Sequence, residues 1–216
     1  MTHPDRETDF ILRETRLGQP SLVPELRLHL ANAALALWQA TESDMEEIDL
    51  PPPYWAFAWP GGQALARLCL DRPEMMRDRR VLDFGAGGGV TAIAAAMAGA
   101  RVVAVDIDAY ARAALALNAA ANGVTLQILD RIAIDAPPPA DILLFGDMCY
   151  ERPLAEAVTQ WGRASSRAGV TVLLADPGRS YKPSDGLAEV ARYIVPTTLD
   201  LEDREERETV IWRMLG

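Results

Sequence analysis

Cysteine and histidine are scarce in this 216-residue chain, with two of each, and only one of its 21 basic residues, Lys182, is a lysine. Cys69 and Cys149 stand far apart, which argues against a disulfide framework and against a cysteine zinc site. A reducing cytosol is the expected compartment. His3 and His29 are also isolated, so no Ser-His-Asp or histidine-metal set can be assembled from the motifs. No apolar run reaches the roughly 18–20 residues of a membrane helix. The first residues, MTHPDRETDFILRE, mix acids and bases without an apolar stretch and resemble neither a secretory signal nor an acid-poor transit peptide. Positive charge is in deficit too: the net charge is −10. Such acidity disfavours a phosphate backbone and suits a neutral or basic protein partner. Trp38, Trp55 and Trp161 lack the interleaved basic residues of a nucleic-acid platform and read as packing residues. The expectation is no nucleic acid, no membrane and no metal. The Arg and Ala bias points to a GC-rich bacterial genome, and the lack of a targeting segment fits a bacterial cytoplasm.

What is present is alternation. Residues 1–50 read as helical, with Leu26, Leu30, Ala33, Ala34 and Leu37 at helical spacing and His29 as a surface or satisfied residue on that helix. LPPPYWAFAWPGG then punctuates an aromatic cluster, and helix resumes at Gln63–Leu70. Strands are expected at 81–84, 101–106, 126–130, 141–147 and 170–176. Helices are expected at 90–99, 109–123 and 152–165. A weak helix near 184–192 and two strands, YIVPTTLDL and ETVIWRML, complete the chain. Apolar strands alternating with helices imply an α/β fold, with a parallel sheet covered on both faces. The expected division is an N-terminal helical extension over 1–60 packed on a Rossmann-like domain over 61–216.

The strongest motif is VLDFGAGGGVTAIAA. Asp83, Gly85, Gly87 and Gly89 occupy a strand-to-helix turn, where missing Cβ atoms let a ligand lie against backbone and the next helix offers free N–H groups. The next strand ends at Asp106, placed for the ribose hydroxyls of an adenosine cofactor. Dinucleotide sites serve a pyrophosphate, which a carboxylate at Asp83 would repel. The same carboxylate can hold the ammonium of a methionine moiety. At this point the chain resembles the class I methyltransferases, which use S-adenosylmethionine. The resemblance places Asp130, after the third strand, near the adenine.

The fourth strand leads into GDMCYE. Enzymes that methylate planar amines carry Asn/Asp-Pro-Pro-Tyr here; this chain keeps Asp147 and Tyr150 but has Met148–Cys149 between them. A carboxylate and a phenol suit a lysine amine, which Asp147 can orient through charge-assisted hydrogen bonds. The alternative is that Asp147 caps the next helix and Tyr150 packs in the core. Cys149 reads as a small buried apolar residue. Asp-x-x-Tyr in this place resembles the seven-β-strand protein-lysine methyltransferases. PYWAFAWPGGQALARLCLDRPE, VLDFGAGGGVTAIAAAMAGA, GDMCYERPLAEAV and ADPGRSY are similar to one branch, the electron transfer flavoprotein β-subunit lysine methyltransferases, in bacterial form. The resemblance implies strand order 3-2-1-4-5-7-6 with the last strand antiparallel. It implies that Asp147 is needed for activity and that Trp59 borders the cofactor. It also implies the flavoprotein β subunit as protein substrate. A ribosomal protein or a planar amine is the alternative acceptor, and cofactor binding without catalysis is the reading from another class.

Overall fold

The computed structural model describes residues 6–31 and 52–216. Its elements are α1 (Arg6–Glu14), β1 (Thr15–Gly18), β2 (Leu28–Ala31), α2 (Pro60–Asp71), β3 (Arg80–Phe84), α3 (Val90–Met97), β4 (Arg101–Val105), α4 (Ala109–Ala121), β5 (Gln127–Leu129), β6 (Ile142–Gly146), α5 (Arg152–Arg167), β7 (Thr171–Asp176), β8 (Leu187–Pro196), α6 (Leu199–Glu202) and β9 (Glu206–Met214). The strands β3 to β9 form one seven-stranded sheet in the order β5-β4-β3-β6-β7-β9-β8. Counted along the sheet, this is the expected 3-2-1-4-5-7-6. The first five of these strands are parallel, and β9 runs antiparallel to both β7 and β8.

The sheet is apolar on both faces because its strands send alternate residues to opposite sides. Val81, Leu144 and Leu173 meet Leu65, Leu68 and Ile93 of α2 and α3 on one face. Leu82, Leu143 and Leu174 meet Val158 and Trp161 of α5 on the other. Trp161 is buried among Phe84 and Phe145, and its ring N–H donates to the Ala136 carbonyl at 2.7 Å. The strand order reverses between β3 and its neighbours β4 and β6, which opens a crevice at the carboxyl ends of these strands.

Two expectations are corrected. The N-terminal segment is not helical throughout: after α1, β1 and β2 form a two-stranded antiparallel sheet pairing Thr15 with Ala31 and Gly18 with Leu28. Within β2 Leu28 is buried and the next three residues are intermediate, so pairing with β1, not a burial period, makes this stretch a strand. His29 therefore sits on a strand, its Nδ1 3.2 Å from the Thr15 hydroxyl. The rest of the expected helix, with Trp38, lies outside the described residues. The second correction is residues 187–196, which form an edge strand paired with β9 from Leu187↔Met214 to Pro196↔Glu206. Leu187, Val190, Ala191 and Ile194 fit helical spacing, but long-range pairing overrides local periodicity. The strand expected over 193–201 accordingly ends at Pro196, followed by the short α6.

Candidate active site

A cleft opens at the carboxyl ends of β3 and β6, where open α/β sheets bind their ligands. One wall is the glycine loop, Gly85 to Gly88. Another is the aromatic segment before α2, with Tyr54, Trp55, Phe57 and Trp59. Leu28 and Leu30 of β2 also line it, and Asp83 and Asp147 lie at its floor.

Asp83 is buried at the end of β3. Its Oδ2 has no hydrogen-bond partner. Burial pushes its carboxyl up to about 7, the Ala92 N–H draws it down and the charge of Asp106 adds a smaller rise. An unpaired buried carboxylate oxygen in a cleft fits a cationic ligand group, since unpaired burial is otherwise costly. The methionine ammonium of S-adenosylmethionine fits that requirement. Gly85 has φ +73, and a Cβ there would run into the Met148 sulfur. The loop thus depends on glycine both for its backbone and for the side chain above it.

Asp106 stands behind the loop. Its Oδ2 accepts from the Gly87 N–H at 2.8 Å, and its Oδ1 accepts from the Asp108 N–H at 2.9 Å. It therefore ties the glycine loop to the end of β4. Each oxygen keeps a further lone pair for a ribose hydroxyl. Gly89 is the residue preceding α3 and faces Leu115 rather than the cleft. Asp130 is exposed, pairs with Arg131 at 3.4 Å and lies outside the cleft lining.

Asp147 follows β6 with φ +56, an uncommon backbone conformation for a residue with a side chain. The carbonyl of Ala175 on β7 accepts from the Asp147 N–H at 3.1 Å and helps hold it there. Its Oδ2 accepts from the Gly62 N–H at 2.9 Å, in the first turn of α2. The carboxylate therefore caps α2, not the helix that follows it; Glu151, the residue before α5, makes no side-chain cap. The Oδ1 is buried without a hydrogen-bond partner. Burial pushes Asp147 up to about 7, countered by the N–H groups of Gly62 and Gly61 and by Arg179. A Cβ on Gly61 would stand 2.6 Å from Asp147 Oδ2, so the helix can approach this closely only with glycine there.

Tyr150 is 45% exposed and is not a core residue. Its ring lies 5.7 Å from that of Tyr54. Trp59 lines the cleft and precedes α2, its ring N–H donating to the Tyr54 carbonyl at 2.8 Å. Cys149 is buried, and burial pushes its thiol up to about 12. Trp55 is buried against Tyr110, yet also lines the cleft.

Several lining residues carried no signal in the sequence. Asn118 of α4 is fully buried; its amide donates to the Gly88 carbonyl at 2.8 Å and its Oδ1 accepts from the His29 N–H at 2.7 Å. It joins the glycine loop to β2. An asparagine near a helix C-terminus looks like an end signal, and only β2 docking reveals this use. Among the described residues no group of three or more His, Cys, Asp and Glu side chains could hold a metal, and no helix is long and apolar enough to cross a membrane.

Comparison with known proteins identifies relatives over most of the chain. It is 36% identical over 214 residues to the electron transfer flavoprotein β-subunit lysine methyltransferase of Danio rerio, covering 95% of this chain and 82% of that one. The Xenopus laevis protein of the same name is 38% identical, covering 94% and 85%, and the Homo sapiens one is 38% identical, covering 86% and 71%. A family model described as ribosomal protein L11 methyltransferase (PrmA) matches residues 43–144. Among solved structures, a candidate RNA methyltransferase from Pyrococcus horikoshii superposes with a TM-score of 0.53 at 17% identity, covering 82% of this chain and 96% of that one. A candidate methyltransferase complexed with S-adenosylhomocysteine gives 0.51 at 12% identity, covering 72% and 50%. Likenesses this distant speak for the fold.

Proposed function

The chain belongs to the electron transfer flavoprotein β-subunit lysine methyltransferase family, and on that premise we propose that it methylates a lysine of such a β subunit from S-adenosylmethionine. The observation that carries the reading is the buried, unpartnered Oδ1 of Asp147, a residue that lines the cofactor cleft three positions before the half-exposed Tyr150. Asp83 holds the ammonium of the cofactor, Asp106 and the glycine loop hold its ribose, and Trp59 walls the cleft. S-adenosylmethionine supplies a methyl carbon activated by its sulfonium: the amine lone pair forms the new N–C bond, the C–S electron pair returns to sulfur, and the amine releases one proton.

The protein's part is placement. A lysine amine titrates near ~10.4 in water and must be neutral to attack; desolvation beside a positive charge lowers that value. Asp147 Oδ1 accepts a hydrogen bond from the amine and aims its lone pair, while Tyr150 and Tyr54 shape the approach of an aliphatic stem. Two prolines would stiffen a clamp for a planar amine, and Met148–Cys149 stand in their place. The ribosomal-protein family match ends at Leu144, before Asp147, so it bears on the cofactor half and not on the acceptor. The free cysteines, both buried, support a reducing compartment such as the bacterial cytoplasm.

The test is transfer of labelled methyl to purified flavoprotein β subunit, with lysine-to-arginine acceptors as controls. Label should appear on the unmodified subunit and disappear when the target lysine is replaced. Label on a glutamine or nucleobase acceptor, with none on lysine, would move the protein to the planar-amine reading.

A further inference from the structure

Beside Asp147 lies a second, polar pocket lined by Cys149, Tyr150, Gly178, Arg179, Tyr181 and Arg207. The guanidinium of Arg179 reaches toward the cofactor site from this pocket, with Nη2 4.0 Å from Asp147 Oδ1. It is tightly held. Its backbone N–H donates to Asp176 Oδ1 at 2.7 Å. Its side chain forks onto Glu202, with Nη1 3.3 Å from Oε2 and a second, shorter contact from Nη2 to Oε1. Glu202 is buried and is shared with Arg207, whose Nε donates to it at 3.0 Å. Glu202 is thus divided between two guanidinium groups, and the charge of Arg179 also acts on Asp176 and on Asp147, whose Oδ1 has no hydrogen-bond partner of its own.

We propose that Arg179 is a positioning residue of the acceptor site: fixed by Glu202, it favours the carboxylate form of Asp147 and disfavours an acceptor amine that enters as an ammonium. This rests on the methyl-transfer reading of Asp147. The other groups that bear on Asp147 are few. The N–H groups of Gly61 and Gly62 on α2 stabilise its charge, Asp176 at the end of β7 opposes it, and the Cys149 thiol after β6 is neutral. Arg179 is a side-chain cation that draws this carboxylate down. Because it sits in the loop after β7, it can match the charge of the acceptor site without touching the cofactor cleft.

The experiment is a carboxyl-carbon NMR titration of Asp147 in the full-length protein, its resonance assigned with Asp147→Asn. The variants are Arg179→Met, which keeps the aliphatic stem, and Arg179→Lys, which keeps the charge. Arg179→Gln replaces Arg179→Met should the latter fail to fold by circular dichroism. An opposite charge at this range lowers a carboxyl by about one pH unit or more. The Asp147 midpoint should therefore rise by about that much in Arg179→Met and return toward wild type in Arg179→Lys. Calorimetric affinity for S-adenosylmethionine should stay within about threefold, since Arg179 is outside the cofactor cleft. The acid limb of methyl transfer to the flavoprotein subunit should move to higher pH by the same amount. An unmoved Asp147 midpoint overturns the assignment, and so does a moved midpoint with an unmoved acid limb. Absence of any transfer by the wild type would remove the proposed substrate instead, and the Asp147 titration would still decide what Arg179 does.

Discussion

Asp147 accepts a hydrogen bond from the Gly62 N–H at 2.9 Å, so the carboxylate that follows β6 is also the cap of α2. One residue thus ties β6 to the helix that carries the Trp-Pro-Gly-Gly turn. The free N–H groups of a helix start favour a negative charge by about 0.3–1 kcal/mol or more. They oppose the burial that raises Asp147. Structure and chemistry are therefore coupled at this residue, and its substitutions must be read on both.

Asp147→Asn keeps the size of the side chain and can keep an oxygen on Gly62. Cofactor affinity by calorimetry should remain within about threefold, while single-turnover methyl transfer falls by about 100-fold or more, the usual loss for one polar catalytic group. Full activity in this variant would reject its role in orienting the amine.

Gly61→Ala should do harm by displacement. The new Cβ would meet Asp147 Oδ2 at 2.6 Å and the Ala175 carbonyl at 2.7 Å. Overpacking of this kind costs about 1–3 kcal/mol. Urea denaturation should show that loss. Transfer measured at a temperature where the variant is still folded should fall further than its stability explains, because the carboxylate has moved.

Asp83 sets a pH dependence. Its ordinary value is 3.8 and burial raises it to about 7. Between these values the folded protein holds a proton that the unfolded chain has lost, so the contribution present below 3.8 disappears as pH rises through about 7. Cofactor-free protein should lose denaturant resistance between about pH 4 and about pH 7, and Asp83→Asn should lose less, by about 1–3 kcal/mol. The same variant should bind S-adenosylmethionine weakly. Equal pH slopes in the two proteins would show that Asp83 is paired in solution.

Asp106 and Asp130 should separate cleanly. Asp106→Ala removes the acceptor of the Gly87 N–H and a charge-assisted bond worth about 1.5–3 kcal/mol, so affinity for S-adenosylmethionine should drop by roughly 10- to 150-fold. Asp130→Ala removes an exposed side chain outside the cleft and should leave affinity within about twofold. A large loss in Asp130→Ala would bring the adenine to the end of β5 after all.

Asn118→Ala tests a contact that only the fold creates. It should leave the Gly88 carbonyl and the His29 N–H without their partner, at a cost of about 1–3 kcal/mol. Amide exchange should quicken in both the glycine loop and β2. Faster exchange in one alone would mean that the two are not coupled through this side chain.

The sequence by itself determined the repeating core of this protein. Strands such as Val81–Phe84 and Ile142–Gly146 are apolar on both faces, and helices such as Ala109–Ala121 end at Asn-Gly; such signals are local and survive any tertiary arrangement. It also determined the glycine turn with its flanking carboxylates, because a ligand lying against backbone demands those residue types at fixed spacing. Tertiary structure decided the rest. The Leu-His-Leu-Ala stretch became β2 once it could pair with β1, and Leu187–Pro196 became an edge strand once β9 lay beside it. It also settled that Asp130 faces solvent, that Asn118 bridges loop and strand, and that Arg179 stands beside Asp147. These are contacts between residues distant in the chain, and their energy exists only after the loops between them have closed, so no local spacing can encode them.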